Sequence, residues 1–177
     1  NGEVSVAWYR EEGFLPEALC NYLALLGWSP GDDRENITMD ELVSLFTVER
    51  VNSSPARFDM KKLEAINGDK IRALTIDDFL TRALPFLLRD GVISGTPTEV
   101  EVIRSALPLI QERISRLKEV VPMLSFLFGD DVQYEDGALA SLREDPARHV
   151  LEATLKEVEA LENWSHAEIE ARLRAAL

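Results

Sequence analysis

Three observations predict a mainly α fold for this chain of 177 residues. Helix-capping residues recur just ahead of apolar runs. Those runs repeat at three- and four-residue spacing. Period-two alternation of β-branched and aromatic residues is scarce. The pattern also divides the chain. Residues 1–73 read as a small mixed domain, helices with at most two short strands, and residues 74–177 read as purely helical. The change falls near Ala73–Thr75.

Ser5 can cap a short helix running through Glu12, and Pro16 suits the first turn of the next, where its missing N–H costs nothing. That helix is expected to end at Gly27 in the left-handed C′ conformation, with Trp28 packing back on Leu25. Ser29-Pro30-Gly31-Asp32-Asp33 is a turn-rich loop. Thr38 with Glu41 forms a capping box that opens a helix through Phe46. The segment Arg50–Phe58 is extended, since Pro55 restricts the residue before it; it and Glu3–Ser5 are the two strand candidates. Asp59 caps a helix with Leu63 and Ile66 on one side and Lys61 and Lys62 on others.

From Thr75 onward every signal is helical. Thr75 with Asp78 starts a helix to Arg89, which Pro85 should kink or interrupt. After breaks at Asp90-Gly91 and Ser94-Gly95-Thr96-Pro97, helices are expected over 98–106, 108–117 and 119–127. Pro108 and Pro122 then sit in first turns. Gly129-Asp130-Asp131 and Glu135-Asp136-Gly137 read as an acidic loop. A long amphipathic helix over 146–162 carries Val150, Leu151, Leu155, Val158 and Leu161 at helical spacing. Ser165 with Glu168 caps the last helix, Ala167–Leu177, which has no C-cap and so reads as truncated.

Hydrophobic residues make up 46% of the chain, enough for a packed core. No apolar run is long enough to span a bilayer, and no secretory signal precedes the domain, which predicts a cytoplasmic protein. Thirty-two acids against nineteen bases give a net charge of −13. That balance opposes phosphate binding as a whole-surface sum, but partners respond to patches. Residues 104–118 hold Arg104, Arg113, Arg116 and Lys118 against Glu112, and residues 57–72 hold five bases against three acids. Both runs can equally be solvated helix faces.

Independent catalysis is not indicated. No phosphate-binding glycine loop occurs. His149 and His166 lie on different helices, so no metal is expected. The pairs Asp32-Asp33, Asp77-Asp78 and Asp130-Asp131 sit in loops or first turns, where they complement helix dipoles. The single cysteine, Cys20, falls in an apolar helical pattern and reads as a buried structural thiol. Two binding functions remain. Arginines and lysines can hold phosphates while aromatic residues stack on unpaired bases, with Arg113 and Arg116 three apart on one helix face. The alternative is a helical protein–protein interaction module with an acidic surface.

The stretch Val4-Ser5-Val6 … Tyr9-Arg10-Glu11-Glu12-Gly13-Phe14-Leu15-Pro16-Glu17-Ala18-Leu19 … Asn21-Tyr22-Leu23 … Leu26-Gly27-Trp28-Ser29 resembles the segment that follows the catalytic Lys-Met-Ser-Lys-Ser-like loop of bacterial-type glutamyl-tRNA synthetases. A second match is Val51-Asn52-Ser53-Ser54-Pro55-Ala56-Arg57-Phe58-Asp59, followed by Lys61-Lys62-Leu63 and Ile66-Asn67; Pro85-Phe86-Leu87 and Pro108-Leu109-Ile110-Gln111-Glu112-Arg113 add weaker support. The resemblance implies a class I enzyme that uses ATP, with Mg, to attach glutamate to its tRNA. Its nucleotide-binding domain would lie before Asn1, so the fragment itself would hold no cofactor. Residues 1–73 would be a stem-contact domain and 74–177 the first of two helical anticodon-binding domains. Eukaryotic-type relatives have β-barrel anticodon domains, so the helical second half implies the bacterial type. The resemblance also implies that Arg113 reads the third anticodon base, with Arg116 in reserve, and that Arg57, Lys61 and Lys62 contact the tRNA backbone beside its inner elbow.

Overall fold

The computed structural model describes residues 5–52, 57–129, 134 and 136–176. Among these every regular element is helical and no strand is assigned. Glu3 and Val4 of one strand candidate and residues 53–56 of the other lie outside the described residues. What precedes the latter is a 3-10 turn over Val48–Arg50, and Asn52 N–H donates to the Gly27 carbonyl at 2.6 Å. The chain divides into two compact units, residues 1–130 and 131–177.

In the first unit the caps sit where their side-chain chemistry requires. Ser5 accepts from Trp8 N–H and opens α1 (Val6–Glu12), which Gly13 closes with a left-handed φ of 87°. Pro16 begins α2 (Pro16–Leu25). Its C-cap is Leu26, immediately before the expected stop at Gly27, but Gly27 is not left-handed, and Trp28 N–H is taken by Ala24 O at 2.9 Å. Trp28 is buried with the Phe46 ring 5.7 Å away. Thr38 and Glu41 form the reciprocal capping box of α3 (Met39–Leu45). Asp59 caps α4 (Met60–Arg72) through Lys62 N–H, and Thr75 caps α5 (Ile76–Arg89) through Asp78 N–H.

Neither Pro85 nor Pro108 interrupts its helix. Helix α5 runs through Pro85, and α6 (Pro97–Ile110) runs through Pro108. Both prolines face outward, while Ala83, Phe86 and Leu87 around one and Leu107 and Ile110 around the other are buried. Burying those side chains outweighs the ~3 kcal/mol that an interior proline costs. The helix expected over 108–117 is therefore absent: the chain turns at Gln111–Arg113, bends at Ser115–Arg116, and passes through a 3-10 turn at Leu117–Glu119 into α7 (Val120–Leu124). A further 3-10 turn covers Ser125–Leu127.

One apolar core joins these elements. Phe14, Leu15, Ala18 and Tyr22 meet Leu63, Ile66 and Ile71 of α4, Phe79, Leu80 and Leu87 of α5, and Ile103, Leu107, Ile114 and Val120 beyond. Packing thus continues across Ala73–Thr75. Three buried amides sit inside it at positions where helical spacing calls for apolar residues: Asn21, Asn67 and Gln111. Asn21 holds the 35–37 loop by donating to Glu35 O and accepting from Ile37 N–H. Cys20 is exposed rather than buried, since the inward face of α2 is set by Ala18, Asn21 and Tyr22.

In the second unit α8 (Asp136–Leu142) occupies part of the expected acidic loop, while Asp130, Asp131 and Glu135 lie outside the described residues. Helix α9 (Asp145–Glu159) packs against α10 (His166–Ala176), Ser165 accepts from Glu168 N–H, and Arg172 pairs with Glu157 at 3.3 Å. Val150, Leu151 and Leu155 stay exposed.

Two predictions arise from these contacts. Asn67→Ala leaves the buried Leu15 N–H and the part-buried Ser115 O without their partner, while Gly13 O keeps Leu117 N–H; at ~1–3 kcal/mol for such a group thermal melting should show a fall in Tm of about 10 °C. The second concerns Glu99, which binds the N–H and hydroxyl of Thr96 and the N–H and hydroxyl of Ser94. Those bonds, the Thr96 N–H foremost, hold its carboxyl down to about 2 from an ordinary 4.5. A depressed carboxylate stabilises fully above the unfolded value and loses that contribution as pH falls through the folded one. Acid titration should therefore find stability lost between pH 4.5 and about 2, and Glu99→Gln should flatten that part of the curve.

Candidate nucleic-acid interface

The basic runs change character once their partners are seen. Arg104 is ion-paired to Asp77 and reaches Glu101 at 3.7 Å. Lys118 is paired to Glu12. Arg72 meets Asp69 at 2.6 Å, and Lys62 meets Glu35 at 2.6 Å. Lys70 is turned inward, donating to Asn36 Oδ1 at 2.9 Å and Ile37 O at 2.8 Å, and burial pushes its ammonium below the usual lysine range. Most of the local positive charge is thus internally neutralised. Arg57, Lys61 and Arg113 are exposed and form no ion pair with any described residue.

Their placement comes from α4. Asp59 N–H donates to Tyr22 Oη at 2.5 Å, and Phe58 lies edge-on to the Tyr22 ring at 4.9 Å. Together these anchor the segment carrying Arg57 to α2. Lys61 and Lys62 occupy the first turn of α4. The segment after α6 then returns along the same helix. Gln111 Nε2 donates to Ile71 O and Leu74 O, both at 2.9 Å, at the C-terminal end of α4. Ser115 O accepts from Asn67 Nδ2 at 2.5 Å, one turn further back. Arg116 reaches Glu64 at 3.7 Å, a residue one turn from Lys61. With a rise of 1.5 Å per residue, about 10–15 Å of α4 separates Lys61 from the stretch opposite Arg113.

Arg113 and Arg116 do not share a helix face, because neither lies in a helix. Arg113 N–H donates to Ile110 O at 2.8 Å, and its side chain points to solvent. Arg116 is only about a quarter exposed, and its guanidinium is shared by Glu12 at 3.0 Å, Glu119 at 3.1 Å and Glu64 at 3.7 Å. Sequence reasoning passed over the amides that hold this arrangement, although each interrupts an apolar period and could have been noticed for that.

An apolar groove of about 1010 Å³ opens between α1, α2 and α5. Leu19, Cys20, Leu23, Pro85 and Phe86 line it together with Arg10, Arg82 and Arg89. His149 is exposed, with Nδ1 2.8 Å from Asp145 O, and among the described residues no group of histidines, cysteines and carboxylates is arranged to hold a metal. No helix among them is long and apolar enough to cross a membrane.

Comparison with known proteins gives these residues a context. Residues 78–177 match the family model of an anticodon binding domain, and residues 1–65 match that of the catalytic domain of class I tRNA synthetases (E and Q). The glutamate–tRNA ligase of Saccharopolyspora erythraea is 47% identical over 172 residues, and that of Leifsonia xyli subsp. xyli is 46% identical over 175; each match covers 96% of this chain but only 34% and 35% of the relative. A solved glutamate tRNA ligase from Elizabethkingia meningosepticum, in complex with its amino acid, superposes with a TM-score of 0.74 at 25% identity, covering 95% of this chain and 32% of that one. A solved glutamate-tRNA synthetase from Elizabethkingia anophelis gives 0.73 at 26%, with the same coverage. The chain spans about a third of the length of the relatives it matches. With every regular element among its described residues helical and an anticodon-binding model matching more than half its length, the chain belongs to the glutamate–tRNA ligase family.

Proposed function

We propose that this chain is the tRNA-recognition part of a glutamate–tRNA ligase, whose full-length parent uses ATP and Mg to attach glutamate to its tRNA in the cytoplasm. Residues 1–73 act in this reading as the stem-contact domain and residues 74–177 as an anticodon-binding domain. The observation that carries it is Arg113: an exposed guanidinium without an acid partner among the described residues, on a backbone held at Gln111 and again at Ser115. A planar fork of five donors suits a base edge or a phosphate, and holding it in place beforehand lowers the cost of binding. Arg57, just ahead of α4, and Lys61, in its first turn, supply phosphate contacts. Lys62 joins them only by releasing Glu35, and its contribution is correspondingly smaller.

The net charge of −13 then limits non-specific adhesion, while Arg57, Lys61 and Arg113, which pair with no acid among the described residues, retain a local attraction. The groove beside α2 favours a second reading, a module that docks a protein partner. Salt dependence separates the two, because displaced counterions make log affinity fall with log salt by about 0.7–0.9 per phosphate contacted.

Fluorescent glutamate tRNA, titrated with the chain at several salt concentrations, should bind more tightly than a tRNA with a different anticodon. Arg113→Ala should abolish that preference, costing roughly 10-fold or more in affinity, as a lost bidentate base contact does. In contrast, Arg57→Ala and Lys61→Ala should weaken both RNAs equally and reduce the salt slope by about 0.7–0.9 each. Equal binding of both RNAs with no salt slope would refute RNA recognition by this chain and favour the protein-docking reading.

A further inference from the structure

We propose that Arg116 is a positioning residue, which clasps three parts of the first unit so that the neighbouring Arg113 is presented in one place. The inference rests on Arg113 meeting RNA, and it removes Arg116 from the contact surface. Arg116 directs Nη1 to Glu12 Oε2 of α1 at 3.0 Å and Nε to Glu119 Oε1, at the entry to α7, at 3.1 Å. The same nitrogen lies 3.7 Å from Glu64 Oε1 of α4. Only an arginine offers enough donors in one plane to serve carboxylates arriving from three elements.

The clasp has further fastenings. Glu119 also accepts from Ser115 N–H at 2.9 Å, Ser115 O accepts from Asn67 Nδ2 at 2.5 Å, and Leu117 N–H donates to Gly13 O at 2.9 Å. Gln111 is fixed to the end of α4 on the other side. Arg113 therefore stands between two anchored points only four residues apart, with its side chain free of them.

Charge excludes the opposite assignment. Glu12, Glu64 and Glu119 converge on Arg116, with Lys118 as the one further cation on Glu12. A phosphate approaching Arg116 would meet a cluster of net charge −1, and to be held it would have to displace a carboxylate already in place.

Two readouts test the clasp, using the whole chain with Arg116→Met, Arg116→Lys, and Arg116→Met combined with Glu119→Gln, which spares the fold some of the bare carboxylate charge. The first needs no RNA. Amide exchange over 113–117 should accelerate at least 10-fold in both Arg116→Met chains, with helix content by circular dichroism unchanged, and unchanged exchange would overturn the proposal. Arg116→Lys, which keeps the charge but not the fork, should follow Arg116→Met; wild-type behaviour in that variant would also overturn it.

The second readout is binding of glutamate tRNA. Arg116→Met should lose the preference for the matching anticodon about as far as Arg113→Ala does, keep the wild-type salt slope, and add little when combined with Arg113→Ala. A slope reduced by about 0.7–0.9 with exchange unaltered would make Arg116 a phosphate contact itself. If the wild-type chain does not bind the RNA, the proposed function fails, while the exchange measurement still decides whether Arg116 holds the segment.

Discussion

The carboxamide of Asn67 is where three stretches of the first unit are tied together. It is fully buried, accepts from Leu15 N–H at 2.8 Å, and donates to Ser115 O at 2.5 Å and Gly13 O at 3.4 Å. Few side chains can do this, because the site needs donor and acceptor together without a charge. A leucine would strand Leu15 N–H and Ser115 O, and an aspartate would bring an unpaired charge into the core. The fit around it is close. A side chain at Gly13 would place its Cβ 2.5 Å from Lys118 N, and the φ of 87° there already favours glycine. Leu117 N–H then reaches Gly13 O, which sets the 3-10 turn beside α1 and brings Glu12 within reach of Arg116 and Lys118.

What this seam accomplishes is placement. The part of the chain that ends with α4 and helices α5 to α7 are joined by one core and by these amides, with no linker between them. A cation displayed from the segment after α6 is consequently held at a set distance from those at the start of α4. Electrostatics completes the selection: most arginines and lysines of the two basic runs are occupied by neighbouring acids, and Arg57, Lys61 and Arg113 are left exposed. The acidic total and the capacity to hold phosphate are compatible because charge acts locally and is screened over about 10 Å at 0.1 M salt.

Much of the helical order is legible in the chain, since caps act through near-neighbour chemistry. Ser5, Thr38, Asp59, Thr75 and Ser165 each accept the amide expected of them. The segment from Gln111 to Leu117 is not legible, because its path is set by partners at Gly13, Glu64, Asn67 and Ile71–Leu74, more than thirty-five residues away. The same limit explains Pro85 and Pro108, whose local cost is overridden by burial on the opposite helix face, and Cys20, whose exposure depends on which face of α2 meets α4. Family membership was legible from the motifs at Val4–Ser29 and Val51–Asn67, and the matches to glutamate–tRNA ligases agree with it. Charge counting alone treated Arg113 and Arg116 as equivalents; only their surroundings separate an arginine that is free from one that is fully engaged.

The central claim is that division of labour, and arginine side-chain NMR addresses it most directly. In the 15N-labelled chain, the Nε–H signals of Arg113 and Arg116 would be followed while an RNA hairpin carrying the glutamate anticodon is added. The account predicts that the Arg113 signal moves with saturation and slows in exchange with water, while that of Arg116 stays in place because its hydrogen bonds to Glu119 and Glu12 persist. Movement of Arg116 with Arg113 unaffected would contradict it.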